Sequence, residues 1–187
     1  MEDSPELLKA VRRLDKKALE QVFDIYSHAI YNYALRLCQD PVQADHIVGD
    51  TFSKLLDQVV DGKGPRKNLR SYLYQTAYHL FVDQSRDRQR MAPIEIVDFI
   101  SSELHSMQSV VENRAIMDVV MLAINNDLTD DQRHVIILRF LEGLSLQETA
   151  KIVGKNVDSV KAVQSRGMAK LRKLLANIEN DIINDEM

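Results

Sequence analysis

Residues Leu128 to Leu175 read LTDDQRHVIILRFLEGLSLQETAKIVGKNVDSVKAVQSRGMAKLRKLL. Helix-start and helix-stop signals follow one another here at spacings that admit few folds. Thr129 with Gln132 three residues on forms a capping box, and Asp130 and Asp131 suit the first turn of the helix it opens. Val135, Ile136, Leu138, Arg139 and Leu141 carry that helix to Gly143, a residue at ease with positive φ. Ser145 with Glu148 forms a second capping box. The short helix behind it uses Leu146, Thr149, the small Ala150 and Ile152 or Val153. Gly154 supplies a turn, and Asp158 or Ser159 can cap a final helix with Val160, Val163, Met168, Leu171 and Leu174 or Leu175 inward. Helix, short helix, turn and longer basic helix are the layout of a helix-turn-helix unit.

Such a unit can set the first residues of its last helix against base edges in a DNA major groove. Asp158, Ser159, Lys161, Ala162, Ser165 and Arg166 are expected on that outward side. Serine hydrogen-bonds to base edges, and lysine and arginine bind bases or phosphates. Lys170, Arg172 and Lys173 either contact the DNA backbone or only solvate the helix. The competing account is a helical hairpin packed against another protein.

Charge distribution limits how far the unit can act alone. Residues 128–176 hold nine basic and five acidic side chains, net +4, yet the whole chain is net -4. Residues 91–127 carry net -5, the last eleven carry net -4, and residues 1–90 carry net +1. A basic module bordered by acidic sequence does not have the profile of a general nucleic-acid binder.

The 45% apolar and 28% charged content is ordinary for a soluble globular protein, and scarce glycine and proline with weak alternation point to an all-α fold. Ser4 caps a short helix to about Arg13, with Pro5 and Glu6 in its first turn. Asp15 opens a long amphipathic helix on Leu19, Val22, Phe23, Ile25, Tyr26, Ile30, Tyr33, Ala34 and Leu37, which ends near Asp40-Pro41. A third helix runs from Val42 to about Val60 with Ala44, Ile47, Val48, Phe52, Leu55, Leu56 and Val59 inward. Asp61 to Asn68, DGKGPRKN, is an exposed basic loop. A fourth helix runs from Leu69 to about Arg90, with Leu73, Thr76, Ala77, Leu80 and Phe81 inside. These helices can share one core, so residues 1–90 form a first domain. Residues 91–111, with Pro93 and the apolar IEIVDFI, are a linker that is either flexible or docks its apolar residues. Residues 112–176 form the second domain, its first helix spanning Val111 to Asn126 on Ile116, Val119, Val120, Ala123 and Ile124. Residues 177–187 are an acidic tail.

A second candidate surface spans Lys63 to Arg90. Lys63, Arg66, Lys67 and Arg70 can follow a phosphate backbone, while Tyr72, Tyr74, Tyr78, His79 and Phe81 offer rings for unpaired bases or for the core. Catalysis is not expected. His28, His46, His79, His105 and His134 lie apart and lack metal-ligand spacing with Cys38. The GKG at 62–64 lacks the frame of a phosphate loop. No cofactor or metal site is expected. Cys38 reads as a buried thiol, and neither a signal peptide nor a membrane span is expected.

The two surfaces together resemble a bacterial RNA polymerase sigma factor of the sigma-70 family, extracytoplasmic-function group, over roughly residues 15–90 and 112–176. ADHIVGDTFSKLL, Ala44 to Leu56, looks like the family's polymerase-clamp helix, and Asp45, Ile47, Val48, Asp50, Thr51, Phe52 and Lys54 fall on it. Asp61 to Asn68 sits where the family captures a flipped base of the promoter's -10 element. LRSYLYQTAYHLFVDQSR resembles the following helix, with Leu73, Ala77, Asp83 and Arg86 keeping its pattern. RFLEGLS, ETAKIVG and VKAVQSRGMAKLR resemble the region that reads the -35 element. Several positions depart from the pattern. Tyr72 stands for a usual Trp, Tyr78-His79 for Arg-Asn, His46 for an acid, Gly49 for Gln, Asp158 for Gly and Val163 for Arg.

The resemblance implies two helical domains, a region 2 bundle and a region 4 helix-turn-helix, joined by a linker. It implies a cytoplasmic bacterial initiation factor, not an enzyme, that binds core RNA polymerase and promoter DNA. The -10 contacts would come from Lys63, Arg66, Lys67, Asn68, Arg70, Tyr72, Tyr78, His79, Asp83 and Arg86. The -35 contacts would come from Asp158, Ser159, Lys161, Ala162, Ser165, Arg166 and Lys170. It also implies that an anti-sigma factor is a candidate partner. The alternatives are a stand-alone dimeric helix-turn-helix regulator and a sigma-like adaptor that binds a regulator without initiating transcription.

Overall fold

The computed structural model describes residues 4–91 and 108–185, with side chains described for 4–86 and 116–176. Among the described residues all regular structure is helical. The chain separates into two compact units, Met1–Glu95 with Gln147–Lys155, and Ile96–Leu146 with Asn156–Met187.

In the first unit, Ser4 Oγ accepts from the Leu7 amide at 3.1 Å and opens α1, Pro5–Val11. Asp15 accepts from Ala18 N at 2.9 Å and opens α2, Lys16–Cys38. The chain leaves α2 through Gln39, held at φ 54° with its amide on the Leu35 carbonyl at 2.8 Å. Asp40 then accepts from Val42 N at 2.9 Å and starts α3, Pro41–Val60, with proline where its missing N–H costs nothing. α4 runs Leu69–Met91. The core joins Val22, Tyr26, Ile30, Tyr33 and Leu37 of α2, Ile47, Leu55 and Val59 of α3, and Leu73, Ala77, Leu80 and Phe81 of α4. Tyr33 meets Tyr74 edge-on at 5.3 Å. Each fully buried aliphatic side chain here contributes about 1.5–3 kcal/mol.

Two expected core residues lie outside. Phe23 is 48% exposed and Leu56 42% exposed. Phe23 follows the buried Val22 by one residue, a rotation of about 100° that carries it off the buried stripe. Leu69, Ser71 and Tyr74 are buried beyond the expected α4 stripe, and Thr76 is only half-buried.

In the short segment Gln147–Lys155, α7, Leu146–Ile152, buries Thr149, Ala150 and Ile152. The turn behind it closes with Val153 N on Thr149 O at 3.0 Å and Lys155 N on Ala150 O at 2.9 Å, and Gly154 takes φ 66°.

The second unit begins with α5, Gln108–Asp127, three residues ahead of its expected start. Ala123 and Ile124 are buried as expected, but Ile116 is exposed. Thr129 and Gln132 form both hydrogen bonds of the capping box before α6, Asp130–Ile136. The helix does not continue as α to Leu141. Ile137–Leu141 forms a π-helical turn, closed by Glu142 N on Ile137 O at 3.0 Å. This wider turn keeps Ile137 and Leu138 buried and leaves Phe140 exposed before Gly143 at φ 66°. α8, Val157–Asp185, crosses α6 closely because position 167 is glycine. A Cβ there would stand 3.2 Å from Ile136 Cγ1 and 3.4 Å from Gln132 Cβ. The expected linker, including IEIVDFI, falls mainly on residues 92–107, outside the described residues.

Candidate nucleic-acid interface

α3 offers one exposed face. Asp45, Asp50 and Lys54 are exposed, and Phe52 is half-buried with its ring 4.9 Å from that of Phe23. Ile47, Val48 and Thr51, expected on this surface, are instead buried in the core. Thr51 Oγ1 donates to the Ile47 carbonyl at 2.6 Å, so its hydroxyl is used within the helix. These three position the face rather than form it. Phe23 and Leu56 extend the face with apolar surface. Helical periodicity alone assigned both to the core, because spacing does not distinguish the rim of a buried stripe from its centre.

The loop between α3 and α4 is held on the end of α3. Gly62, at φ 71°, places its amide on Val59 O at 3.0 Å, and Lys63 N reaches Gln58 O at 2.8 Å. Gly64 and Pro65 are buried, and a Cβ on Gly64 would lie 2.7 Å from Val59 Cγ2. Asn68, at φ 50°, accepts the Ser71 amide at 2.8 Å and so caps α4. The anchored loop leaves Lys63, Arg66 and Lys67 exposed, Lys63 beside Asp61 at 3.3 Å.

From there α4 presents an outer side. Tyr72 is half-buried, and burial raises its phenol above the usual value against an opposing hydrogen bond with Thr76. His79, Asp83 and Arg86 are exposed along the same side, and Tyr78 meets His79 edge-on at 5.3 Å. Arg70 lies over the Tyr74 ring at 5.7 Å. Tyr74 and Phe81 are core aromatics, which removes them from the candidate rings. The remaining set combines cations on a fixed loop with three exposed or half-exposed rings, those of Tyr72, Tyr78 and His79, a surface able to hold a phosphate chain and stack bases.

The second candidate surface is the outward side of α8. Asn156, not Asp158 or Ser159, caps the helix, since its Oδ1 accepts the Ser159 amide at 2.7 Å. Val160, Val163, Gly167 and Leu171 are buried, while Asp158, Ser159, Lys161, Ala162, Ser165, Arg166 and Lys170 are all exposed. Asp158 pairs with Lys161 at 3.3 Å. Lys170 donates to the Asp127 carbonyl at the end of α5, so in this arrangement its ammonium closes a helix terminus. Arg139 donates to Gln164 Oε1 at 3.2 Å and to the Leu144 carbonyl, tying the loop after the π turn to α8. His134, 3% exposed, is held neutral, its pKa lowered to about 3 by burial first and by Arg133 second, against an opposing pull from Asp131.

Among the described residues no group of His, Cys, Asp and Glu could hold a metal ion, and no helix is long and apolar enough to cross a membrane.

Comparison with known proteins finds family models on both surfaces. The model described as Sigma-70 region 2 matches residues 22–91, and that described as Sigma-70, region 4 matches residues 126–173. The chain is 26% identical over 177 residues to the ECF RNA polymerase sigma factor SigX of Bacillus subtilis, covering 92% of this chain and 91% of SigX. It is 29% identical over 182 residues to the ECF RNA polymerase sigma factor BldN of Streptomyces coelicolor, covering 92% of this chain and 67% of BldN. Among solved structures it is similar to the sigma factor RpoE in complex with the anti-sigma factor NepR from Bartonella quintana. That TM-score is 0.68 at 26% identity, over 86% of this chain and 98% of RpoE.

Proposed function

The chain belongs to the sigma-70 family of RNA polymerase sigma factors, in its extracytoplasmic-function group, and from that premise we propose how its surfaces divide the work of directing polymerase to promoters. The exposed face of α3, with Asp45, Asp50, Phe52 and Lys54, docks on core polymerase, and Phe23 and Leu56 add apolar contact. The anchored loop and the outer side of α4 hold the opened -10 strand through Lys63, Arg66, Lys67, Tyr72, Tyr78, His79 and Arg86. The outward side of α8 reads the -35 duplex. The region 2 and region 4 parts act as two separate promoter-binding domains in the bacterial cytoplasm. The protein performs no catalysis of its own.

The observation that carries this division is the separation of faces. On α3, α4 and α8 the buried residues account for the cores, and the charged and aromatic residues left exposed are those that DNA or a partner can use. Opening the -10 element costs a few kcal/mol, and stacking of an unpaired base returns about 1–3 kcal/mol. Two or three captured bases therefore offset the opening without chemistry. The similarity to RpoE, whose structure holds the anti-sigma factor NepR, supports an anti-sigma protein as a further partner. In vitro transcription with purified core polymerase tests the proposal. Promoter-specific initiation that falls when Arg66 and Lys67 are replaced by alanine is expected. A correctly folded chain that gives no initiation with any promoter would overturn it in favour of the adaptor reading.

A further inference from the structure

The outward side of α8 has an order that the family assignment does not explain. Successive residues turn by about 100°, so Asp158, Ala162, Ser165 and Ala169 fall along one line, and all four are exposed. Lys161 and Arg172 border this line on one side, and Arg166 and Lys173 on the other, again all exposed. Three short side chains let the helix axis come close to base edges, and the two basic rows stand toward the two phosphate strands. The single acid opens the line.

Asp158 is not the cap of the helix, and the helix dipole that an acid in the first turn suits does not require its carboxylate to stand in the outward line. Asn156 already satisfies the Ser159 amide at 2.7 Å. The Asp158 carboxylate is turned to Lys161 at 3.3 Å, and its side chain is 93% exposed. A carboxylate can only accept hydrogen bonds. In the major groove, guanine offers N7 and O6 and thymine offers O4, all acceptors, so both repel it. Adenine offers one donor beside the N7 acceptor, which opposes the second carboxylate oxygen. Cytosine offers its N4 amino group with no acceptor on that edge. Lys161, held beside the carboxylate, can donate to O6 or N7 of the paired guanine and neutralises the acid near the phosphates.

We propose that the adjacent Asp158 and Lys161 side chains of α8 read one C·G base pair of the -35 element, with Asp158 on the cytosine and Lys161 on the guanine. This rests on the assignment of α8 as the -35 reader. The test is selection of promoter duplexes from a library randomised across the -35 element, using holoenzyme assembled from purified core polymerase and the full chain. The wild type should enrich one cytosine position by about tenfold or more over the other bases. Asp158→Asn should move the preference at that position alone toward adenine, because a carboxamide pairs with adenine N6 and N7. Asp158→Ala should weaken the preference at that position, which Lys161 on the guanine then holds alone, while leaving its neighbours unchanged. Both substitutions are at an exposed site, so folding is unaffected. Identical enrichment by wild type and both variants overturns the proposal while leaving the -35 assignment standing. Absence of any -35 enrichment overturns both.

Discussion

His134 shows how one buried side chain links this fold to pH. Its folded pKa of about 3 lies below the ordinary value of 6.5. Between those values the unfolded chain binds a proton that the folded chain refuses, so stability rises with pH across that window and falls as pH drops below 6.5. The loss between pH 7 and pH 5 is at most about 2 kcal/mol from this group. Urea denaturation at several pH values should show it, and His134→Leu should remove that part of the slope. A second residue-scale expectation concerns Gly64. Its would-be Cβ meets Val59 Cγ2 at 2.7 Å and the Val59 Cα at 3.3 Å, and backbone cannot rotate away. Gly64→Ala should destabilise the first unit by about 1–3 kcal/mol in thermal melts and lower the affinity for -10 single strand in holoenzyme, because the basic loop would leave its seat.

At the scale of elements, the helix boundaries were legible wherever a short polar side chain could take a free amide. Ser4, Asp15 and Thr129 all cap as their positions suggest. Thr129→Ala should therefore cost about 1 kcal/mol, measurable by denaturation of the second unit. Boundaries set by tertiary packing were not legible. Asn156 caps α8 where the sequence suggests Asp158 or Ser159, because the turn after Gly154 decides which residue faces the free amide. The π turn at Ile137–Leu141 carries no composition cue, since its apolar residues fit an α-helical stripe equally well. On α3, periodicity found the stripe but not its edges. Ile47, Val48 and Thr51 matched a motif for surface contact yet lie in the core, and Phe23 matched a core pattern yet lies outside. Phe23→Ala with Phe52→Ala should weaken retention of the chain on immobilised core polymerase by about tenfold or more, the scale of an interface anchor. Stability should fall far less than for a core phenylalanine, and circular dichroism melts would check that.

For the whole molecule, the relevant quantity is the mismatch between the basic stretch 128–176, net +4, and a chain of net charge -4. Free chain should bind promoter duplex far more weakly than holoenzyme does, and with a shallower dependence on salt, because it neutralises few phosphates. Electrophoretic mobility shifts across a salt series would show this, and equal affinity of free chain and holoenzyme would contradict it. The two family-matched stretches, 22–91 and 126–173, were legible in the sequence through their motifs. The grouping of Gln147–Lys155 with the first unit was not, since no local signal on so short a segment reports where it packs.

The partition of α8 has a consequence for descent. Val160, Val163, Gly167 and Leu171 hold the helix in place, and none of them faces outward. The outward positions contribute little to folding, where surface substitutions usually stay within about 0.5 kcal/mol. On the proposed assignment of α8 to the -35 element, a duplicated copy of this gene can therefore acquire a new regulon by changing Asp158, Ala162 or Ser165 one at a time, passing through intermediates that remain folded.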